Sequence, residues 1–113
     1  MVIIRSFYLS RVLNTKVRMP DGKQTGVIKD FIAIIEERPK VIACIVKTGG
    51  ALKILDWNHF VIDKEKGNQI NCVWAEEIAI PETAVFLKKH ILNKQIVDID
   101  GKKVVRVNDV RLA

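Results

Sequence analysis

A stretch near the start of the chain recurs at its end, and this repeat constrains the fold more than any other feature of the sequence. Residues 12–33 read VLNTKVRMPDGKQTGVIKDFIA, and residues 91–113 read ILNKQIVDIDGKKVVRVNDVRLA. A single shift of 79 positions relates Leu13 to Leu92 and Asn14 to Asn93. A repeat of this length is typical of a structural unit that is used twice. The sequence therefore predicts about one full unit, followed by the opening of a second unit in a longer tandem arrangement.

The identities within the repeat include a turn motif and an isolated acid. The same shift relates residues 21–23, Asp-Gly-Lys, to residues 100–102, and it relates Asp30 to Asp109. Asp-Gly pairs favour tight turns, because aspartate accepts local backbone hydrogen bonds and glycine tolerates positive φ. An acid inside a strand needs a partner, so we expect Asp30 to bond to Lys29 or to neighbouring backbone, with partner binding as the alternative. We therefore predict a structural role for the repeated motif, which comprises Asp21, Gly22, Lys23, Asp30, Asp100, Gly101, Lys102 and Asp109.

The first unit has the spacing of a small β-structure. Turn signals such as Pro20-Asp21-Gly22 and Thr48-Gly49-Gly50 separate short apolar or alternating segments. About six short strands joined by tight turns are typical of a small barrel or a strongly curled sheet. Closure would also remove exposed sheet edges. The predicted strands lie within residues 16–19, 25–35, 41–46, 51–56, 60–63 and 70–75.

The segment that follows the strands has the signals of a helix. It reads PETAVFLKKHIL, with Pro81 suited to the first helical position and Glu82 to the positive end of the helix dipole. The basic residues 88–90 suit the negative end. We therefore predict three parts of the chain, namely a barrel domain over residues 7–76, a linker with a helix over 77–93, and a hairpin over 94–113 that begins a second repeat.

The predicted hairpin has an apolar face. A two-stranded hairpin alone is only marginally stable in water, so this face must be covered. We expect it to pack on the first barrel, or to pair with the same hairpin of another chain in a symmetric dimer. The expected partners are therefore a second copy of the chain or further domains of the same polypeptide. The candidate interface residues are Ile96, Ile99, Val104, Val107, Val110 and Leu112.

The charge of the chain favours no single partner. With 19 Lys and Arg residues against 13 Asp and Glu residues, the net charge is +6. The basic residues are spread over turns and strand ends, as on an ordinary solvated surface, although contact with phosphates or an anionic membrane face is the functional alternative. The aromatic residues lie in apolar runs rather than among the basic ones, which argues against a stacking platform for single-stranded nucleic acid. Nucleic acid is therefore a minor candidate partner.

The sequence contains few residue patterns that are typical of catalysis or metal binding. Cys44 and Cys72 lie in apolar runs, and we expect both to be buried, reduced thiols. His59 and His90 have no ligand-like neighbours in sequence, and Glu76-Glu77 is expected to be a solvated pair, with divalent-ion sensing as its alternative. There is no nucleophile motif, phosphate loop or paired catalytic acid. We expect a protein without enzymatic activity, without a metal site and without a cofactor.

The expected location is the cytoplasm, either free or at the cytoplasmic face of a membrane protein. No run of 18 apolar residues is present, so the sequence predicts no transmembrane helix. The first ten residues, MVIIRSFYLS, have a short apolar run with arginine after it, which does not fit a signal peptide.

The order of these motifs resembles the PRC-barrel family, named for the H subunit of the photosynthetic reaction centre. The matching positions are Leu9-Ser10, Val17, Asp21-Gly22-Lys23, Gly26, Lys29-Asp30 and, later, Leu55-Asp56-Trp57. The resemblance covers residues 7–75. It implies a small PRC-type β-barrel that serves as a non-enzymatic interaction or regulatory domain.

The second copy resembles a narrower group. Residues 95–112, QIVDIDGKKVVRVNDVRL, are similar to the start of the second barrel in the soluble N-terminal part of MgtE-type magnesium transporters. One departure from the first copy is Val105, which stands where that copy has Gly26. The resemblance implies the cytoplasmic module of a magnesium transporter-like protein, which would meet a membrane only through its parent transporter. The alternative is an RNA or ribosome-assembly adaptor, because a PRC barrel also occurs in a ribosome maturation factor.

Overall fold

The computed structural model of the chain describes residues 7–22, 25–34, 40–63, 67, 69–91, 95–97, 104–106 and 111–112. Over these residues the protein is mainly β, which confirms the β character of the predicted fold. None of the helices in this part of the chain has the length and the apolar character that crossing a membrane requires.

The described part contains eleven strands and three helical turns. The strands are β1 (Phe7–Tyr8), β2 (Lys16–Arg18), β3 (Thr25–Ile34), β4 (Lys40–Thr48), β5 (Ala51–Asp56), β6 (Phe60–Asp63), β7 (Gln69–Cys72), β8 (Ala84–Phe86), β9 (Gln95–Val97), β10 (Val104–Arg106) and β11 (Arg111–Leu112). The helical turns are α1 (Leu9–Val12), a 3₁₀ turn (Trp57–His59) and a π turn (Leu87–Ile91).

One sheet of seven strands forms the body of the protein. Its order is β5-β4-β3-β2-β7-β6, and β8 also pairs with β3. Neighbours are antiparallel, except that β2 and β7 are parallel. The apolar β4, which reads KVIACIVKT, lies inside this order, as is typical of a strand with a nearly continuous apolar run. The fully buried core residues include Leu9, Val17, Ile28, Phe31, Val46 and Leu55.

The sheet is open within the described residues, so the closed barrel that we expected is not formed there. β5 and β6 lie at opposite ends of the strand order and do not pair with each other. The outer edge of β5 is covered instead by the segment after β7, where Asp56 N donates to Glu76 O at 2.9 Å and Ile78 N donates to Ile54 O at 3.1 Å. Because this short segment occupies the backbone groups of the edge, closure by β6 is not needed to protect that part of it.

The predicted helix over residues 81–92 is wrong for most of its length. Residues 84–86 form β8, and the helical part is confined to the π turn over 87–91. The reason lies in the length of β3, which has ten residues, while β2 pairs with residues 25–27 alone. β8 pairs with the remainder of that edge, over residues 32–34. This backbone pairing outweighs local helix signals that were weak, since Val85 and Phe86 lose side-chain freedom in a helix.

The two copies of the repeat form hairpins of the same register. In the first copy the pairs between β2 and β3 are Lys16↔Val27, Val17↔Gly26 and Arg18↔Thr25. In the second copy the pairs between β9 and β10 are Gln95↔Arg106, Ile96↔Val105 and Val97↔Val104. Each pair of the second hairpin is the matching pair of the first shifted by 79 positions. Gly26 and Val105 therefore occupy the same place in the ladder.

Each copy also pairs with the other. The shift of 79 places Phe86 on Phe7 and Leu112 on Ala33. Phe7 of β1 pairs with Leu112 of β11, and Phe86 of β8 pairs with Ile32 of β3, one position from the equivalent register. When the same shift is extended towards the N-terminus, the first copy opens with β1 and the second with β8, and each of these strands lies against the long-strand position of the other copy. In this single chain, the end of the second copy pairs within the same molecule.

Candidate functional site

Asp30 connects the main sheet to the π turn that begins the second copy. Its side chain is buried, with 6% of its surface exposed. Oδ1 accepts hydrogen bonds from Phe31 N and from Lys88 N, both at 2.7 Å, and Oδ2 accepts one from Lys89 N at 3.3 Å. A carboxylate that receives backbone amides at the start of a helical turn satisfies donors that the turn itself leaves free. Asp30 therefore binds the amides of Lys88 and Lys89, which lie 58 and 59 positions further along the chain.

An irregularity in β3 accompanies this placement. The pairing between β3 and β4 shifts register between Ile28 and Asp30. Such a bulge changes the direction in which side chains point. It explains how the charged residue Asp30 lies inside an apolar strand and still reaches a backbone partner outside the sheet. The expected hydrogen bond of Asp30 to backbone is confirmed. Lys29 is not its partner, since Lys29 Nζ donates to Asn14 Oδ1 at 3.3 Å.

The other residues of the predicted motif are described in part. Gly22 has φ of 68° and its amide donates to Met19 O at 3.0 Å, as expected for the Asp21-Gly22 turn. Residues that lie outside the described part of the chain are Lys23, Asp100, Gly101, Lys102 and Asp109.

The candidate interface residues are likewise described in part. Ile96 lies in β9, Val104 in β10 and Leu112 in β11. Ile99, Val107 and Val110 lie outside the described residues. The interface therefore stays a prediction, with the pairing of β11 on β1 as the contact that the structure adds.

A second group of side chains was missed by the sequence analysis. Asp56, His59 and Glu76 each present one ligand atom, and these three atoms lie within 4.8 Å of one another. His59 Nε2 is 3.0 Å from Glu76 Oε2 and 3.8 Å from Asp56 Oδ2. The spacing of Asp56 and His59, which are three positions apart at the junction of two predicted strands, was a usable signal. Glu76 gave none, because it reaches the group only through the path of the chain after β7.

The bend that carries Asp56 and His59 is held from both sides. Asp56 ends β5 and caps the 3₁₀ turn, where its Oδ1 accepts from Asn58 N at 2.9 Å. The ring of Trp57 stacks on Phe60, with centroids 5.1 Å apart, and meets the edge of Phe31 at 4.9 Å. The turn is therefore anchored in the core, while its polar side chains face outward.

The segment that carries Glu76 is tied to the same bend by backbone hydrogen bonds. Val73 N donates to His59 O at 2.8 Å, and Asp56 N donates to Glu76 O at 2.9 Å. These bonds, one on each side of Trp74, fix the position of Glu76 without involving its side chain. Its carboxylate is half exposed and hydrogen-bonded to Nε2 of His59 at 3.0 Å, close enough to share a ligand with the imidazole.

Exposed apolar side chains follow the end of β7. Val73 and Trp74 are 65% and 64% exposed, although the sequence predicted a strand through residue 75. The strand ends at Cys72. Trp74 lines an open groove together with Met19, Pro20, Asp21, Thr48, Lys53 and Ala75.

Both cysteines are buried and free, which confirms the expected reduced thiols. Burial raises the pKa of the Cys44 thiol far above its usual range, and the proximity of Cys72 and Asp56 adds to the effect. Burial also raises the pKa of Cys72, against the opposing effect of a hydrogen bond from the backbone of Trp74. Neither thiol has the lowered pKa of a reactive cysteine.

We expect the buried thiols to make the protein less stable in alkali. Above about pH 8.5 the unfolded chain loses its thiol protons while the folded chain keeps them, so stability falls as pH rises. Each thiol contributes a slope of up to about 1.4 kcal/mol per pH unit. Urea unfolding between neutral and alkaline pH measures this slope, and Cys44→Ala should flatten it. An equal slope in native protein and variant would contradict the assignment.

No family model, no curated protein and no solved structure matches the chain significantly.

Proposed function

We propose that this chain is a non-enzymatic interaction and regulatory domain of PRC-barrel type that couples consecutive copies of a tandem repeat. In this proposal it belongs to the cytoplasmic module of a magnesium transporter-like protein. The observation that carries it is the reciprocal pairing of the copies, with β8 of the second lying on β3 of the first and β11 lying on β1. In a unit built in this way, backbone hydrogen bonds transmit a displacement of one copy to the other copy.

The polar chemistry of the junction supports a coupling role. Asp30 bonds to the amides of Lys88 and Lys89, so its position and that of the π turn depend on each other. The buried residue Leu87 fixes the same turn in the core next to β3. Two contacts of different character, one polar and one apolar, therefore join the copies at one place. The PRC-type barrel and the transporter assignment rest on the sequence motifs of residues 7–75 and 95–112.

A complementation experiment tests the transporter assignment. The gene region that encodes this chain, with its natural flanking sequence, is expressed in bacteria that lack magnesium uptake. We expect growth at low magnesium, and altered dependence of uptake on cytoplasmic magnesium when Asp30 is replaced by alanine. Glu82→Gln is the control, since Glu82 is exposed and lies outside the junction. Absence of growth with normally expressed protein overturns the assignment.

A second candidate function, that of a ribosome-assembly adaptor, is compatible with the net charge of +6. Phosphate contacts make RNA binding strongly dependent on salt. Filter binding to ribosomal RNA at increasing salt tests this candidate. An affinity that falls steeply with salt supports the adaptor over the transporter module, whereas no binding at low salt removes it.

A further inference from the structure

We propose that Asp56, His59 and Glu76 form a binding site for a divalent transition-metal ion of the Zn²⁺ class. This inference is independent of the proposed coupling role. It starts from the donor set, which is one imidazole nitrogen with two carboxylate oxygens from separate parts of the chain. Imidazole together with carboxylate is a ligand combination that zinc accepts in three-ligand sites whose fourth position is left to water.

The distances fit a small ion. In a tetrahedral site with bonds near 2.0–2.1 Å, ligand atoms lie about 3.3 Å apart. The distances from His59 Nε2 to the two carboxylate oxygens are 3.0 and 3.8 Å, which lie on either side of that value. The three ligand atoms all lie within 4.8 Å of one another, so an ion placed among them requires the side chains to move closer to the tetrahedral spacing. The exposed fraction of the Glu76 side chain, 50%, leaves an open direction for water.

The ligands are held by bonds that do not use the proposed metal-binding atoms. The Asp56 carboxylate accepts the Asn58 amide through Oδ1, which leaves Oδ2 directed to His59. The backbone of Glu76 accepts the amide of Asp56, and the carbonyl of His59 accepts the amide of Val73. Supporting hydrogen bonds that orient ligands in this way strengthen metal binding. The Asp56 carboxylate and the backbone positions of His59 and Glu76 are thus fixed before an ion arrives, and the ion adds a link between the two segments.

The chemistry of the donors selects the ion. Mg²⁺ and Ca²⁺ are hard ions that prefer oxygen ligands alone, and Mg²⁺ keeps most of its water. Imidazole suits zinc, copper, nickel and iron. The site therefore discriminates against the cation that the proposed parent transporter would carry. Its expected effect is local, because a bound ion fastens the segment over residues 73–78 to the outer edge of β5.

Calorimetric titration of the full chain with ZnCl₂ tests the proposal. We expect one ion per chain, and a loss of affinity of at least about tenfold in each of His59→Gln and Glu76→Gln. Glu77→Gln and His90→Gln are matched controls, since each removes the same type of side chain outside the group, and they should leave the affinity unchanged. Asp56 is left intact because its carboxylate also caps the 3₁₀ turn.

Hydrogen exchange supplies a readout at the site itself. Zinc should slow exchange of the Asp56 and Ile78 amides, which form the bonds between β5 and its covering segment. The effect should vanish in His59→Gln, and millimolar MgCl₂ should not reproduce it. The proposal is overturned if the folded native chain gives no heat with ZnCl₂. It is equally overturned if both ligand variants bind as tightly as the native chain.

Discussion

Replacing Asp30 with alanine is expected to lower the free energy of unfolding by about 3 kcal/mol. The buried carboxylate receives amides from Phe31, Lys88 and Lys89, and alanine leaves all three without their acceptor. Hydrogen bonds to a charged group are each worth about 1.5–3 kcal/mol, and buried donors without a partner are costly. Thermal unfolding should shift down by on the order of 10 °C.

Two further measurements distinguish the loss of the Asp30 hydrogen bonds at the π turn from a general loss of stability. The Lys88 and Lys89 amides should lose hydrogen-exchange protection in Asp30→Ala under conditions where β4 and β5 remain protected. Asp30→Asn keeps the shape but turns one acceptor into a donor, so it should lie between the native protein and the alanine variant. Glu82→Gln should be neutral. A stability of Asp30→Ala within about 0.5 kcal/mol of the native value would refute the role of this carboxylate.

Replacing Gly26 with alanine is the second large expected effect, with a loss of about 2 kcal/mol. A Cβ at this position would stand 2.5 Å from Val46 Cγ1 and 3.1 Å from Met19 Sδ. Val46 is fully buried in the core and cannot move aside freely. Overpacking in a dense core forces side chains off their rotamers or shifts the backbone. Chemical denaturation of the variant measures the loss.

A double-mutant cycle tests the cause of that loss. Val46→Ala removes the atom that meets the new Cβ, so Gly26→Ala should cost clearly less in the Val46→Ala background than in the native protein. Thr25→Ala is the control, because Thr25 precedes Gly26 in the same strand and its side chain is exposed. Equal costs of Gly26→Ala in both backgrounds would show that the close approach of Val46 is not the cause.

Gly26 and Val105 share a ladder position although their side chains differ in size. Both residues pair across the same register in their hairpins. At Gly26, the neighbours Val46 of β4 and Met19 leave no room for a Cβ. The repeat in the sequence therefore fixes the backbone pairing of a hairpin, while the strands packed beside it decide which side chains it tolerates.

The predictions that held depend on signals carried by adjacent residues. Turn chemistry placed the Asp21-Gly22 turn, apolar runs placed β4 and the buried cysteines, and the need of a buried acid for a partner anticipated the bonds of Asp30. The prediction of a helix over residues 81–92 was wrong because residues 84–86 pair with a distant strand edge. That edge is the part of β3 that β2 leaves unpaired. The predicted closure of the sheet was not observed for a related reason. The segment that contains Glu76 and Ile78 forms backbone hydrogen bonds with the outer edge of β5, where a closing strand would pair.

The sequence by itself determined most strands of the first unit, its tight turns and a repeated hairpin motif, because periodicity and turn residues act over a few positions. Tertiary structure decided which edges those strands occupy. It brought Lys88 and Lys89 to Asp30, and Glu76 to His59, over separations at which no local pattern operates. The physical reason is that the backbone donors and acceptors along a sheet edge can form hydrogen bonds with any strand of suitable geometry, whatever its side chains. The choice among candidate strands is made by the packing of the whole chain.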